Sequence, residues 1–380
     1  MDVAQSLLQL VFERLLRLAV ELAYRGIGFA APNPLVGCIV IKNKKIIGRG
    51  WHAHYGEAHA EVNAIRTAEE YGFSVAGAEV FVTLEPCAHF GSTPPCVDLL
   101  IAKKIAAVYV LFADPNPEVA GKSLEKLQAN GMKVFADFPE LRREYFDLYE
   151  DFFHFITTKK PFVALKMAMD KNGFMAEKDA QAVRIGGKEQ EMHTHFLRQR
   201  FAAILVGANT VINDDPHLGV RFGEFHQGRR DPLRIIFDPQ LRTPKTAQVF
   251  RDENFLLITT KEQKTAAEKK FGKMVRIVKT LKNGNFDLPE LLNILGNEKI
   301  MSILVEGGKK TAESFIQQKC AQKGYFFASK KALITDGIPG IDFKKIPQWK
   351  LQRKQEFGDD VLWEGMIGNS KAFDPGAKNT

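Results

Sequence analysis

The apolar residues of the first 136 positions recur in two alternating patterns. Between Leu8 and Leu22 they return at every third or fourth position, which predicts an amphipathic helix at the start of the chain. Short apolar runs, typical of buried strands, then alternate with further helical patterns. Strands are expected at 36–41, 46–48, 80–84, 107–111 and 133–135, and helices at 59–68, 97–103 and 122–129. This alternation indicates a layered α/β/α domain.

A second domain is expected after residue 158. A helix predicted over 139–158 ends at Lys159-Lys160-Pro161, and a proline in that position is typical of a boundary. We therefore predict one domain over 1–158 and another over 159–380. The α/β alternation then resumes, with strands at 162–167, 202–206, 233–237, 254–259, 274–278 and 301–305, and helices at 189–200 and 309–318. The lysine-rich segments 170–187 and 320–358 are too weakly patterned for an assignment.

The composition is that of an ordinary globular protein. The chain has 380 residues, 45% of them hydrophobic and 26% charged, which is enough for two domains with separate cores. Its four cysteines are too few for a disulfide scaffold and indicate a reducing compartment. No apolar run is long enough to cross a membrane, and Asp2, Glu13 and Arg14 argue against a signal peptide. We expect a cytoplasmic protein without a membrane partner.

The positive charge is concentrated in the second half of the chain. Residues 1–150 carry 15 Lys and Arg against 18 Asp and Glu, whereas the remainder carries 38 against 27. A basic second half favours a phosphorylated substrate or cofactor. The basic residues are dispersed and are not interleaved with aromatic residues, so a nucleic-acid partner is not expected.

Three residues of the first domain have the types and spacing of zinc ligands. His59 opens a His-Ala-Glu triplet, and Cys87 and Cys96 each follow a proline. One imidazole and two thiolates leave a position on zinc open for water, whose pKa then falls to about 7. Glu61 follows His59 by two residues, where its carboxylate can move protons without being a ligand. Zinc-dependent deaminases have this set, and it is favoured over a structural zinc site completed by His89.

Several further motifs surround these residues. They are Pro-Asn-Pro-Leu-Val-Gly at 32–37, Gly-Trp-His at 50–52, Gly-Glu-Ala-His-Ala-Glu at 56–61, Leu-Glu-Pro-Cys-Ala-His-Phe-Gly-Ser-Thr-Pro-Pro-Cys at 84–96 and Asp-Pro-Asn-Pro at 114–117. Together they resemble the bifunctional RibD family of riboflavin biosynthesis, over nearly the whole first domain. The eight residues between the cysteines differ from the shorter Pro-Cys-x-x-Cys pattern of deaminases that act on cytidine or nucleic-acid bases.

The resemblance implies an α/β fold with two activities. An N-terminal cytidine-deaminase-like α/β/α domain would use zinc to deaminate a phosphoribosylated diaminopyrimidinone. A C-terminal dihydrofolate-reductase-like α/β domain would then use NADPH to reduce the ribosyl group to a ribityl chain. The resemblance also implies that His59, Cys87 and Cys96 bind the zinc ion and that Glu61 shuttles protons.

Two residues of the first domain are implied to hold the pyrimidine ring. They are Asn33 and His52, whose amide and imidazole can match ring donors and acceptors. Asn33 lies between two prolines and, without the resemblance, is equally well explained as a turn residue. Ser92 departs from the family, because members commonly carry Lys or Arg at this position.

Two segments of the second domain are similar to the reductase half of this family. Residues 203–221 run Ala-Ile-Leu-Val-Gly-Ala-Asn-Thr-Val-Ile-Asn-Asp-Asp-Pro-His-Leu-Gly-Val-Arg, and residues 303–311 run Ile-Leu-Val-Glu-Gly-Gly-Lys-Lys-Thr. The second segment has the pattern of a strand, a glycine turn and a helix start, whose backbone N–H groups can cradle a phosphate. Without the resemblance, the first segment is a strand and a capped helix with no function assigned.

The resemblance also implies roles for individual reductase residues. Those implied to contact NADPH are Ala168, Thr210, Asp214 and the turn 308–314, which includes Gly308, Lys309 and Thr311. Those implied to contact the substrate are Arg198, Leu218, Arg221 and Glu306. Two arginines suit a ribose phosphate, because a guanidinium can pair with two phosphate oxygens at once. Without the resemblance, surface ion pairs are the simpler interpretation of both arginines.

The second domain also departs from the family pattern. The family's Ser-Leu-Asp-Gly-Lys segment appears as Met-Asp-Lys-Asn-Gly-Phe at 169–174, and its Trp-Ile-Thr-Ser run appears as Arg-Ile-Gly-Gly at 184–187. The second change removes an aromatic ring and two hydroxyl groups expected near cofactor and substrate. The alternatives are a bifunctional enzyme and a deaminase whose reductase-like domain is not catalytic. A homo-oligomer through the reductase domain is also implied.

Overall fold

The computed structural model describes residues 3–88, 94–116, 120–178, 184–221 and 230–368. These residues divide into two compact units, with the boundary between Thr158 and Lys159. None of the described helices combines the length and the apolar character needed to span a bilayer. His89 and Ser92, which the sequence singled out, lie outside the described residues.

The first unit is a mixed five-stranded sheet covered by helices. Its strands are β1 (Gly37–Lys42), β2 (Lys45–Trp51), β3 (Glu79–Leu84), β4 (Ala107–Phe112) and β5 (Lys133–Phe135). Its helices are α1 (Val3–Ala23), α2 (Ala60–Glu70), α3 (Cys96–Ala102), α4 (Lys122–Ala129), α5 (Pro139–Tyr145) and α6 (Glu150–Thr158). The spatial order is β2-β1-β3-β4-β5, with β1 antiparallel to both neighbours and β3, β4 and β5 parallel.

Side-chain alternation along the central strands decides which helices cover each face. Phe81 of β3 stacks on Tyr109 of β4 with 4.1 Å between ring centroids, and Phe12 of α1 packs on Tyr109 at 4.5 Å. Val80, the neighbour of Phe81 along the strand, points to the opposite face and joins a core with Ala64 of α2. Helices on both faces confirm the predicted α/β/α layering.

The single helix predicted over 139–158 is wrong, because the structure has two helices there. A 3₁₀ turn at Phe146–Leu148 separates α5 from α6. The residue after this turn, Tyr149, is fully buried, and its ring centroid lies 4.6 Å from that of Phe112. Aromatic packing against the sheet thus interrupts a segment whose sequence is helical throughout.

The second unit is built on a nine-stranded sheet. The strands of this unit are β6 (Phe162–Met169), β7 (Phe174–Glu177), β8 (Ala203–Gly207), β9 (Leu233–Phe237), β10 (Phe255–Thr259), β11 (Val275–Ile277), β12 (Ser302–Val305), β13 (Lys323–Ser329), β14 (Gly337–Pro339), β15 (Lys350–Phe357) and β16 (Asp360–Met366). Its helices are α7 (Lys188–Arg200), α8 (Ala208–Asp214), α9 (Lys264–Phe271), α10 (Leu288–Asn297) and α11 (Lys309–Gln317).

The order of the nine strands is β11-β10-β9-β8-β12-β6-β13-β16-β15, and β7 and β14 form a separate antiparallel pair. The sheet is parallel from β11 to β13, and β16 is antiparallel to both of its neighbours. Apolar cores cover both faces of the central strands, so Leu304 joins one core and Ile303 the other. The carboxyl ends of β6, β8 and β12 therefore meet at one edge of the sheet, where ligands of open α/β sheets bind.

The segments without an assignment from sequence contain four strands, β7, β13, β14 and β15. Seven of the eight residues of β15 are exposed, because it is the edge strand of the large sheet. Edge strands are commonly protected by charged side chains, which remove the apolar alternation that predicts a strand.

Candidate functional site

Three side chains converge in the first unit to form a ligand cluster, His59, Cys87 and Cys96. The Nδ1 atom of His59 lies 3.5 Å from Sγ of Cys87 and 3.3 Å from Sγ of Cys96. All three ligand atoms lie within 4.8 Å of one another. Ligand atoms of a tetrahedral zinc site are about 3.5 Å apart, given a Zn–S distance of about 2.3 Å and a Zn–N distance of about 2.0 Å. The cluster therefore fits zinc and supplies three protein ligands, the number typical of a catalytic site.

The ends of three elements bring the cluster together. His59 immediately precedes α2, Cys87 follows the end of β3, and Cys96 is the first residue of α3. The backbone N–H of Cys96 donates to Sγ of Cys87 at 3.3 Å, and that of Val97 donates to the Cys87 carbonyl at 3.2 Å. Backbone hydrogen bonds thus hold the two cysteines together although eight residues separate them.

Negative charge is already favoured within the cluster. Hydrogen bonds from the Cys96 thiol and from His59 lower the pKa of Cys87 to about 4, against the effect of burial. The same hydrogen bond, together with burial, raises the pKa of Cys96. Burial raises the pKa of Glu61, in the first turn of α2, to about 7. A carboxyl group with such a pKa can both take up and release a proton near neutrality.

A cavity of about 440 Å³ is lined by His59 and Cys87 of the cluster, by Glu61 and by the two residues predicted to hold the pyrimidine. Nδ2 of Asn33 lies 3.0 Å from Nε2 of His52, and Nδ1 of His52 lies 3.2 Å from the carbonyl oxygen of Ala58. Because a carbonyl oxygen only accepts, the His52 proton is on Nδ1, and Nε2 accepts from Asn33. Burial lowers the pKa of His52, which keeps the ring neutral. The orientation of the Asn33 amide in the cavity is thereby fixed.

The second unit has a substrate-sized cavity of about 440 Å³ at the carboxyl ends of β6 and β12, which we call the inner cavity. Glu306, directly after β12, accepts hydrogen bonds from Nε and Nη2 of Arg198 at 2.7 and 3.0 Å. Lys166 of β6 lies 3.9 Å from Glu306. Burial disfavours the Glu306 carboxylate, but the charges of Arg198 and Lys166 outweigh this effect and lower its pKa to about 2. The Arg198 pair is buried, so it is not a surface ion pair.

Arg221 and His195 line the same inner cavity. The backbone N–H of Arg221 donates to Nδ1 of His195 at 3.3 Å, so the His195 proton is on Nε2. Burial and the nearby arginines lower the pKa of His195 to about 4, which keeps its ring neutral at pH 7. Leu218 packs in the hydrophobic core, so only its backbone is available to a ligand.

A second cavity of this unit, the outer cavity, has a volume of about 500 Å³. Its lining includes Thr210, Asp214, Gly308, Lys309 and Thr311. A Cβ atom built on Gly308 would meet nothing within 4 Å, and no described side chain caps the first turn of α11. The backbone N–H groups at the start of that turn suit a phosphate. These residues therefore fit the nicotinamide cofactor that a reductase domain implies.

The inner and outer cavities adjoin each other. Asp214 lines both, and burial raises the pKa of its carboxyl group. Ala168, predicted to contact NADPH, lines the inner cavity near Glu306. A cofactor in the outer cavity would therefore lie next to a substrate in the inner one.

One of the altered segments is well anchored. The carboxylate of Asp170 accepts the backbone N–H groups of Asn172 at 2.9 Å and of Phe174, Leu333 and Ile334 at 3.0 Å. Despite burial, these bonds lower the pKa of Asp170. The turn 169–174 therefore keeps an ordered conformation although its residues differ from the family pattern.

Comparison with known proteins decides the family. Residues 11–112 match the cytidine and deoxycytidylate deaminase zinc-binding region, and residues 161–363 match the RibD C-terminal domain. The riboflavin biosynthesis protein RibD of Aquifex aeolicus is 39% identical over 352 residues, which cover 91% of this chain and 96% of the relative. The chain belongs to the RibD family. It is thus a deaminase and reductase of riboflavin biosynthesis, with its zinc site at His59, Cys87 and Cys96.

Solved RibD structures have the same fold over nearly the whole chain. RibD of Acinetobacter baumannii superposes with a TM-score of 0.81 at 30% identity, covering 94% of this chain and 99% of that one. The deaminase/reductase of Thermotoga maritima superposes with a TM-score of 0.81 at 33% identity and the same coverage. The predicted combination of a cytidine-deaminase-like domain and a dihydrofolate-reductase-like domain is confirmed.

Several residues of these RibD sites were not predicted from the sequence. Lys166 is a charged residue within the otherwise apolar run of β6, a signal that points to function or pairing. His195 lies on α7 one turn from Arg198, and Arg242 lines the outer cavity. Glu85 accepts the backbone N–H groups of Asp114 and Gly121 and thereby holds the loop after β4. Glu85 belongs to the motif at 84–96, which does not indicate this role, and nothing in the spacing of Arg242 indicates its position.

Proposed function

We propose that this chain catalyses two consecutive steps. Its first unit would deaminate 2,5-diamino-6-(5-phosphoribosylamino)pyrimidin-4(3H)-one, and its second would reduce the ribosyl group of the product to ribityl with NADPH. The observation that carries the proposal is the pairing of a three-ligand metal cluster with the buried carboxyl group of Glu61. The Thermotoga maritima structure is named for both activities, as a diaminohydroxyphosphoribosylaminopyrimidine deaminase and 5-amino-6-(5-phosphoribosylamino)uracil reductase.

Proton transfer in the deaminase site is assigned to Glu61. Zinc, when bound, supplies the positive charge that lowers the pKa of a coordinated water. Glu61 takes a proton from the attacking water and delivers protons to a ring nitrogen and to the amino group, which leaves as ammonia. Its pKa near 7 suits both directions of transfer. The His52–Asn33 pair holds the pyrimidine ring, because the hydrogen bond between them fixes the amide.

The reductase residues bind and orient rather than perform acid–base chemistry. NADPH supplies the hydride, so the chain has to place the ribosyl carbon against the nicotinamide. Arg198 donates from Nε and Nη2 to Glu306 and therefore holds that carboxylate in place. Lys166 also lies near the Glu306 carboxylate. Arg221 lines the same cavity and is the better phosphate ligand. Glu306 accepts from the sugar hydroxyls, and the neutral His195 ring lines the same cavity.

The cofactor is assigned to the outer cavity. Backbone N–H groups after Gly308 would bind a phosphate, and Thr210, Asp214 and Thr311 would complete the site. Ala168 lines the inner cavity, and its contact with the nicotinamide is part of the proposal. A cytoplasmic location and assembly through the reductase domain stay predictions, as does the contact of the Leu218 backbone with substrate.

The test is to identify the products by mass spectrometry after incubating the zinc-loaded chain and NADPH with the diaminopyrimidine ribotide. We expect a product that is both deaminated and reduced. A product that is only deaminated would replace the proposal with the second candidate, a deaminase with a non-catalytic reductase-like domain. That candidate is motivated by the altered run at 184–187, which lines the inner cavity. Unchanged substrate in the presence of bound zinc would reject the assigned substrate.

A further inference from the structure

At the altered turn of residues 184–187, a threonine hydroxyl of the family pattern is lost and the amide of Gln190 takes its place. Gly186 stands where the family run Trp-Ile-Thr-Ser has threonine, so its hydroxyl is lost. A Cβ atom built on Gly186 would lie 2.2 Å from Oε1 and 2.3 Å from Cδ of Gln190. The amide of Gln190 therefore occupies the space into which a side chain at position 186 would extend.

The position of Gln190 on its helix makes its amide unusual. Gln190 is the third residue of α7, and a glutamine there commonly reaches back to the backbone N–H of the residue before the helix. That residue is Gly187, whose N–H donates instead to Oδ2 of Asp360 at 2.8 Å. Because the N–H of Gly187 already donates to Asp360, the Gln190 amide is available to bind another group.

Oε1 of Gln190 is buried and accepts no hydrogen bond from any described residue. The residue is 5% exposed and lines the inner cavity together with Gly186 and Arg198. Buried polar atoms are almost always paired, so an unpaired acceptor on a residue that lines a cavity points to a donor that arrives with a ligand. Arg184 gives Oε1 no hydrogen bond either, and its guanidinium pairs with Glu191 at 2.5 Å.

We infer that Gln190 binds the pyrimidine ring of the reductase substrate, with Oε1 accepting a hydrogen bond from a ring N–H. This inference rests on the proposed function, because it places 5-amino-6-(5-phosphoribosylamino)uracil in the inner cavity. A uracil ring carries N–H donors beside carbonyl acceptors, and a carboxamide presents an acceptor and a donor side by side. The phosphate of the substrate finds its counter-charge elsewhere in the cavity, at Arg221.

Gln190 acts on binding and not on hydride transfer. It lines the inner cavity, whereas Asp214 lies where the inner and outer cavities meet. The uracil ring does not react in the reduction, so its contacts are the same in the ground state and in the transition state. Loss of such a contact raises KM and leaves kcat unchanged.

The first test replaces Gln190 with a residue of similar length and no hydrogen-bonding amide. In the zinc-loaded full chain with saturating NADPH, Gln190→Met is expected to raise KM for the uracil ribotide about tenfold, with kcat within about twofold of wild type. The matched control is Gln317→Met, an exposed glutamine at the end of α11, which should leave both constants unchanged. NADPH binding, measured by fluorescence, reports whether each variant is folded.

The second test exploits the shared space. Gly186→Thr alone should lower kcat/KM, because its Cβ would overlap the Gln190 amide. Gly186→Thr combined with Gln190→Ala should recover most of that loss, since the threonine then has room and returns a hydroxyl to the cavity wall. Recovery supports the exchange of one polar group for the other even if Gln190→Met proves unstable.

Two results overturn the inference and are distinguishable. If wild type oxidises NADPH with the ribotide while Gln190→Met keeps its KM, or loses kcat at constant KM, the role of Gln190 is wrong and the function stands. If wild type binds NADPH without oxidising it in the presence of the ribotide, the proposed reductase function fails and the inference falls with it.

Discussion

The polar groups of the two active regions of this chain have different partners. In the first unit, two thiols and an imidazole lie within 4.8 Å of one another and can bind one metal ion. In the second unit, the charged residues pair with each other, as Arg198 does with Glu306 at 2.7 Å. A metal cluster needs ligands of fixed types at fixed distances. A hydride-transfer site needs only the correct orientation of two bound molecules.

This difference explains why the two halves depart unequally from the family pattern. In the deaminase unit, each of the three predicted zinc ligands lies at the end of a helix or shortly after the end of a strand. In the reductase half, one turn has lost its hydroxyl groups, while the cavity keeps a polar wall through Gln190. Binding groups can be exchanged between neighbouring positions, whereas a zinc ligand cannot be exchanged without moving the metal.

The largest expected effect is a loss of deaminase activity that leaves the reductase activity unchanged. Glu61→Gln should lower kcat for deamination about 10⁴-fold, because the variant cannot take a proton from water. NADPH oxidation with the uracil ribotide should be unchanged, since Glu61 lies in the other unit. Ammonia release and absorbance at 340 nm measure the two activities on one preparation.

Metal analysis and a neighbouring variant provide the controls for this experiment. Glu61→Gln should keep one zinc per chain, and Glu70→Gln, at the exposed end of the same helix, should behave as wild type. Loss of zinc from Glu61→Gln would contradict the assignment of Glu61 as a non-ligand. An equal fall of both activities would contradict the independence of the two sites.

The next effect concerns the buried charges of the second unit. Glu306→Gln should lower the free energy of unfolding of this unit by about 4 kcal/mol, because Arg198 and Lys166 would stay buried without their counter-charge. Urea unfolding monitored by a signal from the second unit measures the change. Lys330, which pairs with Glu356 at the surface, offers the matched control, and Glu356→Gln should cost less than about 1 kcal/mol.

The stability lost in Glu306→Gln is expected to depend on pH. The pKa of Glu306 is about 2 in the folded chain, below that of an unfolded glutamate, so its ionised form contributes roughly 3 kcal/mol of stability at neutral pH. This contribution is lost as the pH falls from about 5 to 2. Arg198 and Lys166 stay charged throughout this range, and His195, whose pKa is about 4, becomes protonated within it. The difference in unfolding free energy between wild type and Glu306→Gln should therefore shrink on acidification. A constant difference from pH 7 to pH 3 would contradict the assignment.

The zinc ligands of the deaminase unit could be predicted because they lie in short motifs of fixed residue types. The residue types and spacing of His59, Cys87 and Cys96 predicted all three ligands. The alternation of apolar runs predicted the layers of the first unit. Long-range pairing could not be predicted. Lys166 meets Glu306 from a position 140 residues earlier in the chain, and Gln190 is orphaned because Asp360 takes its usual partner.

The smallest expected effect compares the substrate-holding amides of the two units. Asn33 donates to His52 at 3.0 Å, so its amide is fixed before substrate binds, whereas Oε1 of Gln190 has no described partner. Asn33→Ala should raise KM for the diaminopyrimidine ribotide about tenfold and leave kcat largely unchanged. It also leaves Nε2 of His52 without its donor, so adding His52→Phe should cost less in the Asn33→Ala background than in wild type. Additive losses in this double-mutant cycle would show that the two side chains hold the ring independently. The deaminase site would then resemble the reductase site, because both would rely on an amide whose hydrogen-bond partner is the substrate.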